Sequence, residues 1–77
     1  MLIPLTEQLC VTHHPTPSQC FWMVWIPSPL PAVRKRRRWE AASGLLTTQG
    51  MLAWLTQQAD ARAIQQFVQC SQARRAD

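Results

Sequence analysis

The sequence has little of what phosphate-binding loops and catalytic centres require. It contains two glycines, no tyrosine and four carboxylates among 77 residues. Gly44 and Gly50 form neither a GxGxxG nor a GxxxxGK[ST] motif, so no phosphate cradle is encoded. The carboxylates are scattered, and no Ser/His/Asp or Cys/His set is indicated. We therefore expect a binding protein rather than an enzyme, with no cofactor.

Metal ligands and disulfide frameworks are also poorly represented. Cys10, Cys20 and Cys70 are odd in number and widely spaced, which favours reduced thiols and a cytoplasmic location over a secreted scaffold. His13 and His14 are adjacent, without CxxC or HxxxH spacing, so we predict no zinc site. The longest apolar run covers residues 20–26, far below the ~20 residues that span a bilayer, so no membrane association is expected.

What is present is material for a core. Hydrophobic residues make up 47% of the chain and charged residues 16%, values typical of a folded protein. The length predicts one small domain over residues 1–77, with limited capacity to enclose that core. Within it, proline-rich residues 13–19 are expected to form a loop and residues 73–77 a frayed tail.

Apolar periodicity predicts five elements. Leu2, Leu5 and Leu9 have helical spacing, which indicates a first helix over residues 1–10. Residues 20–26 are apolar at every position, as in a strand covered on both sides, and residues 51–55 are a second such run. Residues 31–43 are expected to form a helix with Gly44 as its C-cap, and residues 57–72 a final amphipathic helix.

The order helix, strand, helix, strand, helix is typical of the α/β class. Strands separated by helices are normally parallel and joined by right-handed crossovers. The sequence therefore predicts a small α/β unit with a short parallel sheet.

The strongest local signal is a run of five cations over residues 34–38. Such a run can bind phosphate, RNA or an acidic protein surface. On a helix, consecutive side chains fan out by 100°, so a solvated helix surface is the alternative. Trp39 follows the run as a buried anchor or a contact residue. Trp22, Trp25 and Trp54 are predicted to lie in the core, because base stacking needs an open sheet face.

Three short strings resemble the SulA family of SOS-induced inhibitors of bacterial cell division. They are LIPLTEQL at residues 2–9, WMVWIP at residues 22–27 and RWEAASGL at residues 38–45. The string MLAWLTQQADARA at residues 51–63 is similar to ImuA, a related accessory family of translesion synthesis. Both families are relatives of the RecA core, so the resemblance implies a truncated or minimal member that forms a partial RecA-like unit. Phe21 and Gln49 depart from basic positions of the SulA pattern.

The resemblance implies binding to the tubulin-like division protein FtsZ, which would block its polymerisation and septum formation. It gives Trp39 and Ile26 as partner-binding residues, with Arg36, Arg37 and Arg38 facing an acidic patch. The alternatives are an ImuA-like partner of a translesion polymerase, a basic nucleic-acid-binding protein and an inactive fragment. Because the predicted sheet is so small, we also expect a partner or a second copy to cover its open edges.

Overall fold

The chain begins with three consecutive antiparallel strands. The computed structural model describes residues 1–30 and 38–75. The first three strands are β1 (Ile3–Thr6), β2 (Leu9–Pro15) and β3 (Cys20–Pro27), followed by the short strands β4 (Trp39–Ala41) and β5 (Leu46–Thr47). The helices α1 (Thr48–Gln58) and α2 (Ala61–Arg75) complete the described chain. The strand order is β1-β2-β3-β4, with β5 also pairing with β3.

The helix predicted over residues 1–10 is wrong, because this segment forms the β1–β2 hairpin. Thr6 pairs with Leu9 across the turn, and the Thr6 hydroxyl accepts a hydrogen bond from the Gln8 backbone N–H at 3.2 Å. Pro4 lies in an edge strand, where its missing N–H is tolerated. Leu5 and Leu9 are both buried. Leu5 lies in β1 and Leu9 begins β2, so the two side chains enter the same core from the two strands of a hairpin.

The strand predicted over residues 20–26 is confirmed as β3, the central strand of the sheet. It pairs along its length with β2, from Pro15 opposite Cys20 to Cys10 opposite Trp25. The connection between them is shorter than the predicted loop over residues 13–19, since β2 continues to Pro15. Thr16 closes the turn, with its backbone N–H donating to the Gln19 carbonyl at 2.8 Å.

The helix predicted over residues 31–43 is wrong where the structure describes it. Residues 31–37 lie outside the described residues, and Trp39–Ala41 form strand β4 on the free edge of β3. The Ala42 N–H donates to the Val24 carbonyl at 2.8 Å and continues this edge contact. Gly44, the predicted C-cap, lies in a bend after this strand. Pairing with a central strand satisfies backbone groups of β3 and overrides the helical preference of these residues.

The strand predicted over residues 51–55 is also wrong, because this run lies within helix α1. Thr47 is the N-cap, and its hydroxyl accepts a hydrogen bond from the Gly50 N–H at 3.1 Å. Met51 and Leu55 are four residues apart and fully buried on one side of the helix. A short apolar run fits a strand or a buried helix equally well, and here the capping threonine accompanies a helix.

The final predicted helix is confirmed as α2, although it begins at Ala61 rather than near residue 57. The Asp60 carboxylate accepts a hydrogen bond from the Ala63 N–H at 3.0 Å, which satisfies one of the free donors at the helix start. Ala63 and Phe67 are buried. The helix continues to Arg75, into the predicted frayed tail over residues 73–77, whose last two residues lie outside the described part.

The predicted α/β class with a short parallel sheet is therefore wrong, and so is the RecA-like arrangement implied by the resemblance. All four strand pairings are antiparallel. The connections β1–β2 and β2–β3 are too short for a crossover, which requires a dozen residues or more. The observed architecture is an antiparallel sheet followed by two helices.

Both helices pack against the same side of this sheet. The core contains side chains from β2 and β3 together with side chains from both helices. Its largest fully buried members are Trp22, Phe67, Met51, Leu55, Val11 and Val24. The rings of Trp22 and Phe67 meet edge to face with centroids 4.8 Å apart. We call the side of the sheet that carries Val11, Trp22 and Val24 the helix face.

Candidate functional site

The other side of the sheet is covered by neither helix. Side chains alternate between the two sides of a strand, and residues directly opposite each other share a side. The register places Met23 opposite Thr12 and Phe21 opposite His14, on the side away from the helices. The open face, as we call this surface, carries Thr12, His14, Phe21, Met23, Trp25 and Trp39. Cys10, opposite Trp25, lies on the same side and is buried. The aromatic side chains of the open face are half-buried, although α1 and α2 pack on the opposite side.

Trp25 is held in the open face by a neighbouring hydroxyl. Its indole N–H donates a hydrogen bond to the Thr12 hydroxyl oxygen at 3.0 Å. The same oxygen lies 2.6 Å from Nε2 of His14. The bond occupies the only polar group of the indole, so Trp25 presents apolar ring surface to its surroundings.

Trp39 extends the open face onto strand β4. It pairs with Pro27, and two positions further along the register Ala41 lies opposite Trp25, on the same side of the sheet. Trp39 and Trp25 line one shallow depression of about 340 Å³, together with Met1, Leu2 and Thr12. The two tryptophans therefore border the same depression on the open face.

Positive charge adjoins this surface. Arg38 is exposed and directly precedes Trp39, and its carbonyl oxygen accepts a hydrogen bond from the Ser28 N–H at 2.8 Å. Arg36 and Arg37 lie outside the described residues; along the chain they are two residues and one residue before Arg38. Five of the eight Lys and Arg residues belong to this run, and the formal net charge is +4. The largest concentration of cations in the sequence thus ends at the border of the open face.

The structure separates two residues that the resemblance assigned to one site. Ile26 is half-buried and packs against the core of the helix face. It pairs with Glu40, whereas Trp39 pairs with Pro27 one position away. Because neighbouring positions of a strand point to opposite sides, Ile26 and Trp39 do not share a surface. Of the predicted site residues in the described part of the chain, Trp39 lies on the open face, and exposed Arg38 precedes it in the chain.

Sequence reasoning missed Thr12, Phe21, Met23 and Trp25 as surface residues. Residues 20–26 are apolar on both alternating sides, which was interpreted as burial on both sides. The same pattern also fits a strand with one covered side and one aromatic side that is available to a partner. The short connections on either side of β2 were the signal for the antiparallel arrangement.

A second depression of about 620 Å³ lies near the start of α1. It is lined by the neutral amide, hydroxyl and thiol side chains of Gln19, Cys20, Thr47, Thr48 and Gln49. None of the described residues in this lining carries an aromatic ring or a charge. Although this depression is the larger of the two, its lining offers less chemistry by which a particular ligand could be recognised.

All three cysteines are free thiols; Cys10 is buried, whereas Cys20 and Cys70 are half-buried. Among the described residues, no group of three or more His, Cys, Asp or Glu side chains is arranged to hold a metal ion. Neither α1 nor α2 has the length and apolar content needed to span a bilayer.

Comparisons of the chain with protein-family models, with curated proteins and with solved structures found no match.

Proposed function

We propose that this protein binds nucleic acid through the open face and the basic run that precedes Trp39. The observation that carries the proposal is a sheet surface that neither helix covers, with two tryptophans in one depression and exposed Arg38 next to Trp39 in the chain. The proposed activity is binding without chemical conversion. We also propose a cytoplasmic location, which suits three free thiols.

Two kinds of contact support this choice of ligand. Phosphates attract Lys and Arg side chains, and their neutralisation releases counterions from the nucleic acid. Aromatic rings on an open sheet stack against bases, whose faces are apolar and similar in all sequences. The open face supplies the rings and residues 34–38 supply the cations. An acidic protein surface would use the cations but would have no particular need for Trp25.

Salt dependence of binding provides the test. Fluorescence anisotropy with a labelled 12-nucleotide single strand should give an affinity that falls steeply between 50 and 200 mM salt. Each phosphate contact contributes a slope of about −0.7 in log K against log salt for single strands. The triple variant Arg36→Ala, Arg37→Ala, Arg38→Ala should therefore flatten the slope by about 2.

A matched control uses an arginine on the other side of the sheet. Arg62 is exposed on α2, so Arg62→Ala removes one positive charge away from the open face. We expect Arg38→Ala to weaken binding more than Arg62→Ala does. Absence of binding at 50 mM salt, or equal effects of the two variants, would contradict the proposal.

A second candidate is the inhibition of cell division through FtsZ. The observation that favours it is the position of Trp39 beside exposed Arg38 on strand β4, a pair of residue types enriched at protein interfaces. Expression in rod-shaped bacteria should then produce filaments, and Trp39→Ala should restore normal cell length. Normal length at good expression of the wild-type protein would remove this candidate.

A further inference from the structure

We infer that the open face takes single-stranded nucleic acid, with neighbouring unpaired bases stacked on Trp25 and Trp39. This inference rests on the proposed function and specifies its ligand. Bases within a duplex expose only their edges, whereas a ring lying on a sheet can contact only the flat side of a base. The open face therefore selects bases that have no partner strand.

The spacing of the two tryptophans supports this choice. Trp25 lies opposite Ala41, and Trp39 is two residues before Ala41 on the same strand. Such diagonal neighbours have Cα atoms about 7–8 Å apart. Successive bases along one strand of a duplex are about 3.4 Å apart, roughly half that distance. Two bases placed face-on against side chains at diagonal positions of one sheet lie side by side rather than on top of each other, which a flexible single strand permits.

The polar groups of the open face are consistent with stacking that tolerates many sequences. The indole N–H of Trp25 is engaged by Thr12, which itself lies 2.6 Å from His14. The hydrogen-bonding group of Trp25 is thus directed to the protein rather than to a base. The depression shared by the tryptophans, about 340 Å³, is at the lower end of the range for small-molecule sites and suits a base rather than a helix.

The first experiment compares strands of equal length. Anisotropy at 100 mM salt should show a labelled 12-nucleotide single strand binding at least tenfold tighter than the corresponding 12-base-pair duplex. Equal affinity would overturn the inference and leave the proposed function intact. Absence of binding to either probe at 50 mM salt would overturn both.

The second experiment removes each ring in turn. Loss of a base-stacking ring is expected to weaken binding about 5- to 150-fold, so Trp25→Leu and Trp39→Leu should fall in this range. Trp39→Phe keeps a ring and should retain most of the affinity. Trp54→Leu is the matched control, because Trp54 lies on α1 and packs against the core. Equal effects of Trp39→Leu and Trp54→Leu, with folding preserved by circular dichroism, would contradict the inference.

The third measurement distinguishes nucleic acid from a second copy of the chain. Tryptophan emission should be quenched when the single strand is added, and the quenching should decrease in Trp39→Leu. Sedimentation should give a monomer at the concentrations used for binding. A dimer that dissociates when Trp39 is replaced, and that excludes the single strand, would assign the open face to self-association and overturn the inference.

Discussion

Trp22 and Trp25 lie on one strand and differ mainly in what covers them. Both donate their indole N–H to a threonine hydroxyl, Trp22 to Thr48 at 2.9 Å and Trp25 to Thr12 at 3.0 Å. Trp22 is 1% exposed beneath the helices, whereas Trp25 is half-buried on the open face. Their odd spacing along β3 places them on opposite sides of the sheet. One residue type therefore serves the core on one side and is available to a ligand on the other.

The largest expected difference between the two faces concerns stability. Phe67 is fully buried on the helix face, so Phe67→Ala should lower the free energy of unfolding by about 3–5 kcal/mol. Phe21 is half-buried on the open face, and Phe21→Ala should cost about 1 kcal/mol, near half the transfer free energy of about 1.5–3 kcal/mol for burying such a side chain, because no enclosed cavity is left. Urea unfolding followed by circular dichroism measures both values.

This comparison would fail if Phe21→Ala destabilised the protein as strongly as Phe67→Ala. Such a result would show that the open face is part of the folding core. It would also remove the reason to regard its aromatic rings as available to a ligand.

The two tryptophan–threonine hydrogen bonds provide a finer comparison. Thr48→Val removes the acceptor of the buried Trp22 indole while preserving side-chain shape, and should cost about 1–3 kcal/mol. Thr12→Val removes the acceptor of Trp25, where water can take its place, and should cost less than about 1 kcal/mol. Urea midpoints of the two variants test this order. Equal losses of stability in the two variants would mean that water cannot replace the Thr12 hydroxyl at the indole N–H of Trp25.

Two elements of the fold, β3 and α2, were predicted correctly from the sequence, for a physical reason. The strand β3 and the helix α2 are long enough for their periodicity and composition to identify them. The hairpin β1–β2 was mistaken for a helix because a four-residue leucine spacing suits both structures. The run in α1 was mistaken for a strand because five apolar residues contain too little periodicity to distinguish the two.

The candidate site was less predictable because it depends on contacts distant in sequence. Trp25 is available to a ligand only because both helices pack on the side of Trp22. The hydroxyl that positions Trp25 belongs to Thr12, 13 residues earlier in the chain. Local patterns identify apolar strand residues, but the choice of covered side is made by tertiary packing. Trp39 and Arg38 were proposed as site residues from the basic run and the SulA resemblance, and the structure places Trp39 on the open face.

The smallest expected effect is a pH dependence of stability, which distinguishes His13 on the helix face from His14 on the open face. His13 stacks on Trp22 with ring centroids 4.5 Å apart, and its Nε2 is buried without a hydrogen-bond partner among the described residues. Desolvation by burial lowers the pKa of His13 from its usual value of 6.5, and the positive charges of Arg74 and His14 lower it further. The folded protein therefore binds this proton more weakly than the unfolded chain does.

Because the unfolded chain takes up the proton first, the contribution of His13 to stability is complete above about pH 6.5 and decreases as the pH falls below it. Urea midpoints at pH 7.5 and 5.5 should show this loss in the wild-type protein. His13→Phe preserves a ring against Trp22 but cannot be protonated, so its loss should be smaller. His14→Gln alters the open face and should retain most of the loss, with only the minor contribution of His14 to the lowered pKa removed. An undiminished loss in His13→Phe would show that acid sensitivity does not originate on the helix face.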